Sequence, residues 1–341
     1  MSGADRYGVA DADFWRSGPD TLASGGGKEW SHFSLLAPGF DLIVNFNLSR
    51  RGATATPRLV WLLRDARGDW HGDVHAFKVE EVTIAEGATD VVMGAHSARF
   101  AEGRYRLIVD LPARGVAIDL ELTPIAYPVV AHDLPLSGAD RFHWAVVPRL
   151  LATGTVSAGG RSHSVRDAPA YHDRNWGRFA WGGGSAWEWA TVLPEDPREP
   201  WSLVVSRLTD RAAGRVLTQS MMLWRGDRLV RKFYGRDLEV TRHGALGLAR
   251  PLRIPRVAAL ALPGSAADAP CGLDFVAAAQ GESLRLCLSF EDFAQVVFPN
   301  DRFPGLTALS ECPGRAEVTG RIGGFDIAFV ARTQAEFNHA A

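Results

Sequence analysis

The chain has 341 residues, 37 Lys and Arg against 39 Asp and Glu, a formal charge of −2 and 46% apolar residues. That length holds about two domains or one large β domain, and balanced charge without long like-sign runs removes the electrostatic footprint of a nucleic-acid binder. The cysteines Cys271, Cys287 and Cys312 are odd in number, far apart and without a Cys-x-x-Cys pair. They suggest neither a disulfide framework nor a zinc site, and are expected as small buried hydrophobes.

Residues 1–28 are polar and Gly-rich, ending in Gly25-Gly26-Gly27, and read as a loose lead-in. The first fifteen residues lack a basic stretch followed by an apolar core, so no signal peptide is expected. No apolar run approaches the ~18 residues of a spanning helix. The expected setting is the cytoplasm, with peripheral contact at the inner membrane if the substrate resides there. From Glu29-Trp30 onward the pattern is that of strands. Asp41 to Leu48 and Arg58 to Asp65 are apolar or alternating, and the Arg67-Gly68-Asp69 turn leads into Trp70 to Phe77. Tyr105 to Leu111 and Val116 to Leu122 follow, joined by Pro112-Ala113-Arg114-Gly115.

Pro124 to Asp140, with Pro128, Pro135 and Gly138, reads as a connection between halves. This predicts an N-terminal β domain over 29–140 and a C-terminal one over 141–341 that carries the central motif described below. Leu151 to Ser157 turns at Gly159-Gly160 into Arg161 to Val165. Strands are then expected at Trp187 to Leu193, Leu203 to Leu208, Val216 to Trp224, Leu229 to Phe233, Leu284 to Phe290, Ala316 to Gly320 and Phe325 to Ala331. Gly244 to Pro270 reads as a long loop with a short helix, and Glu291 to Pro299 as a helical turn or loop. Short strands at this spacing predict an all-β barrel or sandwich.

Chemistry concentrates in Ala170-Tyr171-His172-Asp173-Arg174-Asn175-Trp176-Gly177, followed by Phe179, Trp181 and Trp187-Glu188-Trp189. On an extended strand Tyr171, Asp173 and Asn175 face one way and His172, Arg174 and Trp176 the other. Asp173 in an apolar wall would have its carboxyl pKa raised by burial, the condition for a proton donor at neutral pH. The same residues also fit an Asp-x-Asn turn in which the carboxylate caps backbone N–H groups. His172 reads as structural or catalytic, and Arg174 as the partner of a surface carboxylate. Glu188 is an acid/base candidate if it faces a barrel interior and a solvated residue if it does not. The rings are core packing or the walls of a site for a cation. His71, Asp73 and His75 alternate on one strand, but no further ligand cluster supports a metal, and a polar strand face is the better reading. Gly182-Gly183-Gly184 lacks the Lys of a phosphate loop, and no Gly-x-Ser-x-Gly elbow is present.

The run from Tyr171 to Gly177, preceded by a Gly-Gly hairpin and followed by Trp-Glu-Trp, resembles the carotenoid 1,2-hydratase (hydroxyneurosporene synthase) family and its lipocalin-like relatives. Glu29-Trp30 resembles the family's Glu-Trp-Trp-Tyr opening, although Ser31-His32-Phe33 replaces the remainder. His75-Ala76-Phe77 and Glu80-Glu81-Val82 also resemble its first domain. The resemblance implies an all-β fold of two lipocalin-like β-barrel or sandwich domains in tandem. It also implies cofactor-free, metal-free addition of water to the terminal trisubstituted alkene of an acyclic carotenoid or related prenyl lipid. Relatives close rings or catalyse cycloadditions.

Tyr171 and Asp173 match the family's active positions, and Phe142-His143-Trp144 is the nearest match to its upstream His and Trp. The resulting expectation makes Asp173 the acid, Tyr171 its partner, and His143, His172 or Glu188 the group that positions water. Trp144, Trp176, Phe179, Trp181 and Trp187 would line the substrate. A cyclase and a non-catalytic carrier of apolar ligands are the competing readings.

Overall fold

The computed structural model describes residues 5–16, 27–51, 54–196, 198–211, 214–247, 251–262, 268–301 and 303–340. The chain is nearly all β, as expected, in two compact units. One comprises Met1–Leu134 and Asp140–Phe179, and the other Pro135–Ala139 and Ala180–Ala341. The division therefore differs from a boundary near Asp140: the strand bearing the Tyr171–Gly177 motif pairs with Gly27–Ala37 and belongs to the first unit. A linear reading places a strand with its sequence neighbours, whereas this pairing spans more than a hundred residues.

The first unit's sheet contains β1 (Gly27–Ala37), β2 (Phe40–Arg51), β3 (Thr54–Asp65), β4 (Trp70–Ala76), β5 (Val82–Ala85), β6 (Asp90–Met93), β7 (His96–Ala101), β8 (Arg104–Leu111), β9 (Val116–Pro124), β10 (Val129–Pro135), β11 (Arg141–Ala158) and β12 (Arg161–Arg178). Its order is 4-3-2-1-12-11-9-8-7-6-5, with β10 also on β11. The long β11–β12 hairpin turns at Gly159-Gly160, whose φ values of 59° and 75° are the left-handed pair that a tight hairpin turn requires. Register shifts at Val147/Leu150 and Ala152/Gly154 bend this hairpin and curl the sheet. At Gly154, φ is 143° and an added Cβ would lie 2.1 Å from the Asp119 carbonyl oxygen, so only glycine fits the bulge.

One face of the sheet carries the unit's core: Phe33, Leu35, Val44, Phe46, Trp61, Leu107, Ile118 and Val147 with their neighbours. The lead-in is not loose where it is described. Helix α1 (Val9–Ala12) and the residues after it insert Val9 and Trp15 into that core, with the Trp15 backbone bonded to Ala88 and Gly87. Residues 1–4 and 17–26, including Gly25 and Gly26, lie outside the described residues.

The second unit contains β13 (Ser185–Leu193), β14 (Trp201–Asp210), β15 (Val216–Arg225), β16 (Arg228–Tyr234), β17 (Leu238–His243), β18 (Leu252–Ile254), β19 (Gly272–Ala279), β20 (Glu282–Phe290), β21 (Ala294–Pro299), β22 (Leu306–Ile322) and β23 (Phe325–Ala340). Their order is 16-15-14-13-23-22-20-19-17; β21 adds to β22, and β18 runs parallel to β21. Its core holds Leu203, Leu223, Phe233, Phe275, Leu286, Val318 and Phe337. Ala294–Pro299 is a strand rather than a helical turn, because it pairs along β22. The short helix expected between Gly244 and Pro270 is α2 (Arg256–Ala259). Of the cysteines, only Cys312 is buried; Cys271 is exposed and Cys287 half-buried. Among the described residues no helix is long and apolar enough to cross a membrane.

Candidate active site

Strand β12 lies between β1 and β11, so each motif residue has a paired neighbour on both sides. His32 pairs with Asp173 and Val146 with Asp173; Trp30 and Trp144 pair with Asn175; Ser34 pairs with Tyr171. Directly paired residues share a face, so Lys28, Trp30, His32, Ser34, Phe142, Trp144, Tyr171, Asp173, Asn175 and Phe179 lie together. This is the face opposite the unit's apolar core. The acid therefore does not project into the interior of a lipocalin-like cup, which the unit's own side chains and Trp15 occupy.

Asp173 is 5% exposed and accepts three hydrogen bonds. Trp144 Nε1 and the Tyr171 hydroxyl both donate to Oδ2 at 2.8 Å, and Asn175 Nδ2 donates to Oδ1 at 2.6 Å. Burial pushes the carboxyl up to about 6, although these donors and the nearby His172 favour the ionised form. Among the described residues no Lys or Arg pairs with it. Asp173 and its expected partner Tyr171 are thus brought together, Trp144, expected to line the substrate, donates to the same carboxyl, and the geometry is a side-chain cluster on a strand rather than an Asp-x-Asn turn.

Two residues join it that the sequence does not single out as site residues. Asn175 figures there only as a strand neighbour, and His32 only as a departure from a motif. In the structure His32 Nε2 lies 2.7 Å from Ser34 Oγ, and burial together with His172 lowers its pKa to about 3, so the ring is neutral. The signal for both is the alternation itself, extended across the neighbouring strands. Further along the same face, from Asn175 past Gly177, Trp30, Phe142 and Phe179 form a three-ring group with centroids 5.9–6.0 Å apart. Of the rings expected to line the substrate, Phe179 and Trp144 are here.

The other expected residues lie elsewhere. His172 is on the core face, stacked on Phe33 at 4.1 Å, with Nδ1 2.8 Å from the His32 carbonyl oxygen and Nε2 2.8 Å from Asp13 Oδ2. Arg174 does not reach a surface carboxylate; its Nε donates to buried Asp13, and its guanidinium covers Trp15 at 4.3 Å. Tyr105 also donates to Asp13, at 2.7 Å. Burial alone would raise the Asp13 carboxyl, but Arg174 and His172 outweigh it and hold the group below the usual carboxylate range. His172 is therefore structural: even residues of β12 face the core. Trp176 shares that parity, stacked between His143 at 5.2 Å and the Arg16 guanidinium at 3.5 Å. His143 accepts a hydrogen bond from the Asp133 amide, at 3.2 Å. Neither Trp176 nor His143 shares a face with Asp173.

Trp181, Trp187 and Glu188 belong to the second unit. Trp181 packs on Trp187 and Phe298 at 5.4 and 4.4 Å, and Trp187 Nε1 donates to Glu336 at 2.5 Å. Glu188 is neither solvated nor a free acid. It is buried beside Phe337 and paired with Arg207 at 3.0 Å and Arg242 at 3.6 Å. Asp73 is likewise engaged, by Arg114 at 2.7 Å.

No family model and no curated protein matches this chain. Solved structures do. A candidate AttH from Nitrosomonas europaea is 15% identical with a TM-score of 0.65, covering 93% of either chain. Kievitone hydratase from Nectria haematococca is 12% identical with a TM-score of 0.61, over 99% of this chain and 95% of its own. CghA bound to Sch210972 is 15% identical with a TM-score of 0.65, over 92% and 88%. At these identities the likeness is one of fold.

Proposed function

We propose that this chain is a cofactor-independent hydratase in which Asp173 protonates the terminal trisubstituted alkene of an acyclic carotenoid or related prenyl lipid. The observation that carries the reading is a buried carboxyl, held near pKa 6 without a cationic partner and bonded to the Trp144 indole and the Tyr171 phenol. At pH 7 such a group is protonated about one time in ten, against about one in a thousand for an ordinary aspartate. The fold shared with a protein named as a hydratase supports the same class.

Proton transfer from Asp173 to the alkene leaves a tertiary cation and a carboxylate. Of the rings on that face, Trp30 is buried and paired with Asn175, two residues from Asp173, and a desolvated ring of this kind stabilises a cation by ~2 kcal/mol. Water adds to the cation and must lose a proton. His32, neutral and 2.7 Å from Ser34 Oγ, stands next to Asp173 across the β1–β12 pairing. The proton returns to Asp173, because the carboxylate at about 6 is a stronger base than His32 at about 3. In water the order would be reversed, and the inversion lets one carboxyl serve as acid and then as base. Trp144, Tyr171 and Asn175 hold the carboxylate during the interval between those steps.

The test is incubation with acyclic carotenoids, prenyl quinones and prenylated phenols in water labelled with oxygen-18. Label in a product one water heavier supports hydration. Conversion to an unlabelled isomer identifies a cyclase instead. Asp173→Asn should abolish turnover while ligand binding persists; a carrier would show no turnover in either form.

A further inference from the structure

The second unit carries a feature that the proposed chemistry does not use. Between Ala245 and Ala267 the sequence holds Arg250, Arg253 and Arg256 and no Asp or Glu, in a chain whose overall charge is −2. The described part of this stretch leaves the sheet and returns to it. Ile254, at the end of β18, is buried, and Leu262 packs with Val297, Ala308 and Leu306. Seven residues separate these two anchors, and the turn of α2 between them stands out from the sheet.

Its side chains are the wrong ones for water. Val257 is 82% exposed and Leu260 89%, the two most exposed large apolar side chains among the described residues. Arg256 is exposed beside them. Arg253 is tethered, donating to Gln295 at 2.8 Å, and braces the base of the turn. Because β18 and β21 run parallel, the chain leaves both at the same end of the sheet. The turn after β21 carries Phe303, 60% exposed. Apolar tips next to arginine, with no acid in the segment, match the chemistry of a lipid surface bearing negative headgroups.

We propose that the α2 turn, with Val257 and Leu260 inserted and Arg256 at headgroup level, docks the protein on an anionic lipid surface. Docking through this turn depends neither on Asp173 nor on any reaction. A surface with acidic side chains of a partner protein is the competing occupant, and the exposed Arg256 does not separate the two. The paired, unshielded aliphatic tips do, because they need an apolar layer to enter.

The experiment is co-sedimentation of the full chain with vesicles of phosphatidylcholine alone and of phosphatidylcholine with one quarter phosphatidylglycerol, at about 0.1 M salt where the Debye length is about 10 Å. The wild type should partition onto the phosphatidylglycerol vesicles and only weakly onto the neutral ones. Leu260→Asp and Val257→Asp should each reduce partition at least tenfold, and Arg256→Gln about fivefold, the weight of one basic residue at such a surface. All three positions are on the surface, so melting temperatures should be unchanged. The proposal is overturned if wild type ignores phosphatidylglycerol vesicles, or if Leu260→Asp binds them as well as wild type. It is also overturned if sedimentation velocity shows that wild type self-associates through this turn and Leu260→Asp does not.

Discussion

Replacing Asp173 by Asn tests the central physical claim without a substrate. The amide is nearly isosteric. Its oxygen can keep the donors from Trp144 and Tyr171, and its NH2 meets Asn175, whose own amide can turn to present oxygen. The variant should therefore fold. The folded pKa of Asp173 is raised from 3.8 to about 6, so its contribution to stability is complete below 3.8 and is lost as pH rises through 6. With the carboxyl raised to about 6, ionisation of Asp173 costs the folded state on the order of 3 kcal/mol at pH 7 and roughly half that at pH 5. The amide variant carries no such cost. Urea unfolding of both forms at pH 5, 6 and 7 should thus show the difference, variant minus wild type, rising by roughly 1 kcal/mol from pH 5 to pH 7. All other titrating groups are common to both proteins and cancel. Difference infrared spectra should show a protonated carboxyl stretch in wild type at pH 5 that is absent from the variant. A difference flat to within about 0.5 kcal/mol would mean that Asp173 titrates normally, and the acid role would be lost with it.

Two further outcomes follow from the same geometry. Tyr171→Phe removes one donor to Asp173 Oδ2, and since that donor favours the carboxylate, the pKa should rise by about half to one unit, read from the pH at which the infrared carboxyl band disappears. Asp13→Asn leaves Arg174 and His172 buried without their carboxylate and should cost about 3–5 kcal/mol in denaturant unfolding. Because the folded pKa of Asp13 is lowered, its stabilisation is present above the ordinary carboxylate value and disappears as pH falls beneath it. Wild type should accordingly lose stability below about pH 4 and the variant should lose less.

The two aspartates explain why part of this site is legible in the sequence and part is not. Alternation along one strand is a local property, and it correctly separates Tyr171, Asp173 and Asn175 from His172, Arg174 and Trp176. The assignment of chemistry to His172 and Trp176 fails against that alternation, because residue type outweighs parity in it. His143 falls to the same parity rule one strand over: it pairs with Trp176, not with Asp173. What local pattern cannot supply is the pairing partner. Asp13 reaches His172 across 159 positions and Arg174 across 161, and Gly27–Ala37 reaches the motif across nearly as many. Those pairings decide that the described residues around Val9 and Trp15 are core, that the motif belongs to the first unit, and that His32 stands beside Asp173.

Long-range pairing also gives the two aspartates their opposite titrations, although both are buried against the same strand. Asp13 meets two basic side chains and a phenol, so its charge is compensated and its carboxyl stays ionised. Asp173 is bonded only to a phenol, an indole and an amide, and these donors with the nearby His172 offset the cost of burying its charge without outweighing it. Moving one basic residue of β12 by a single position would exchange the two environments, since each step along a strand changes face. An Arg at the site of Asn175 would drive Asp173 to a permanent carboxylate, unable to protonate an alkene. Burial raises the Asp173 carboxyl, and it stays raised because the groups bonded to it are polar but uncharged and offset only part of that cost.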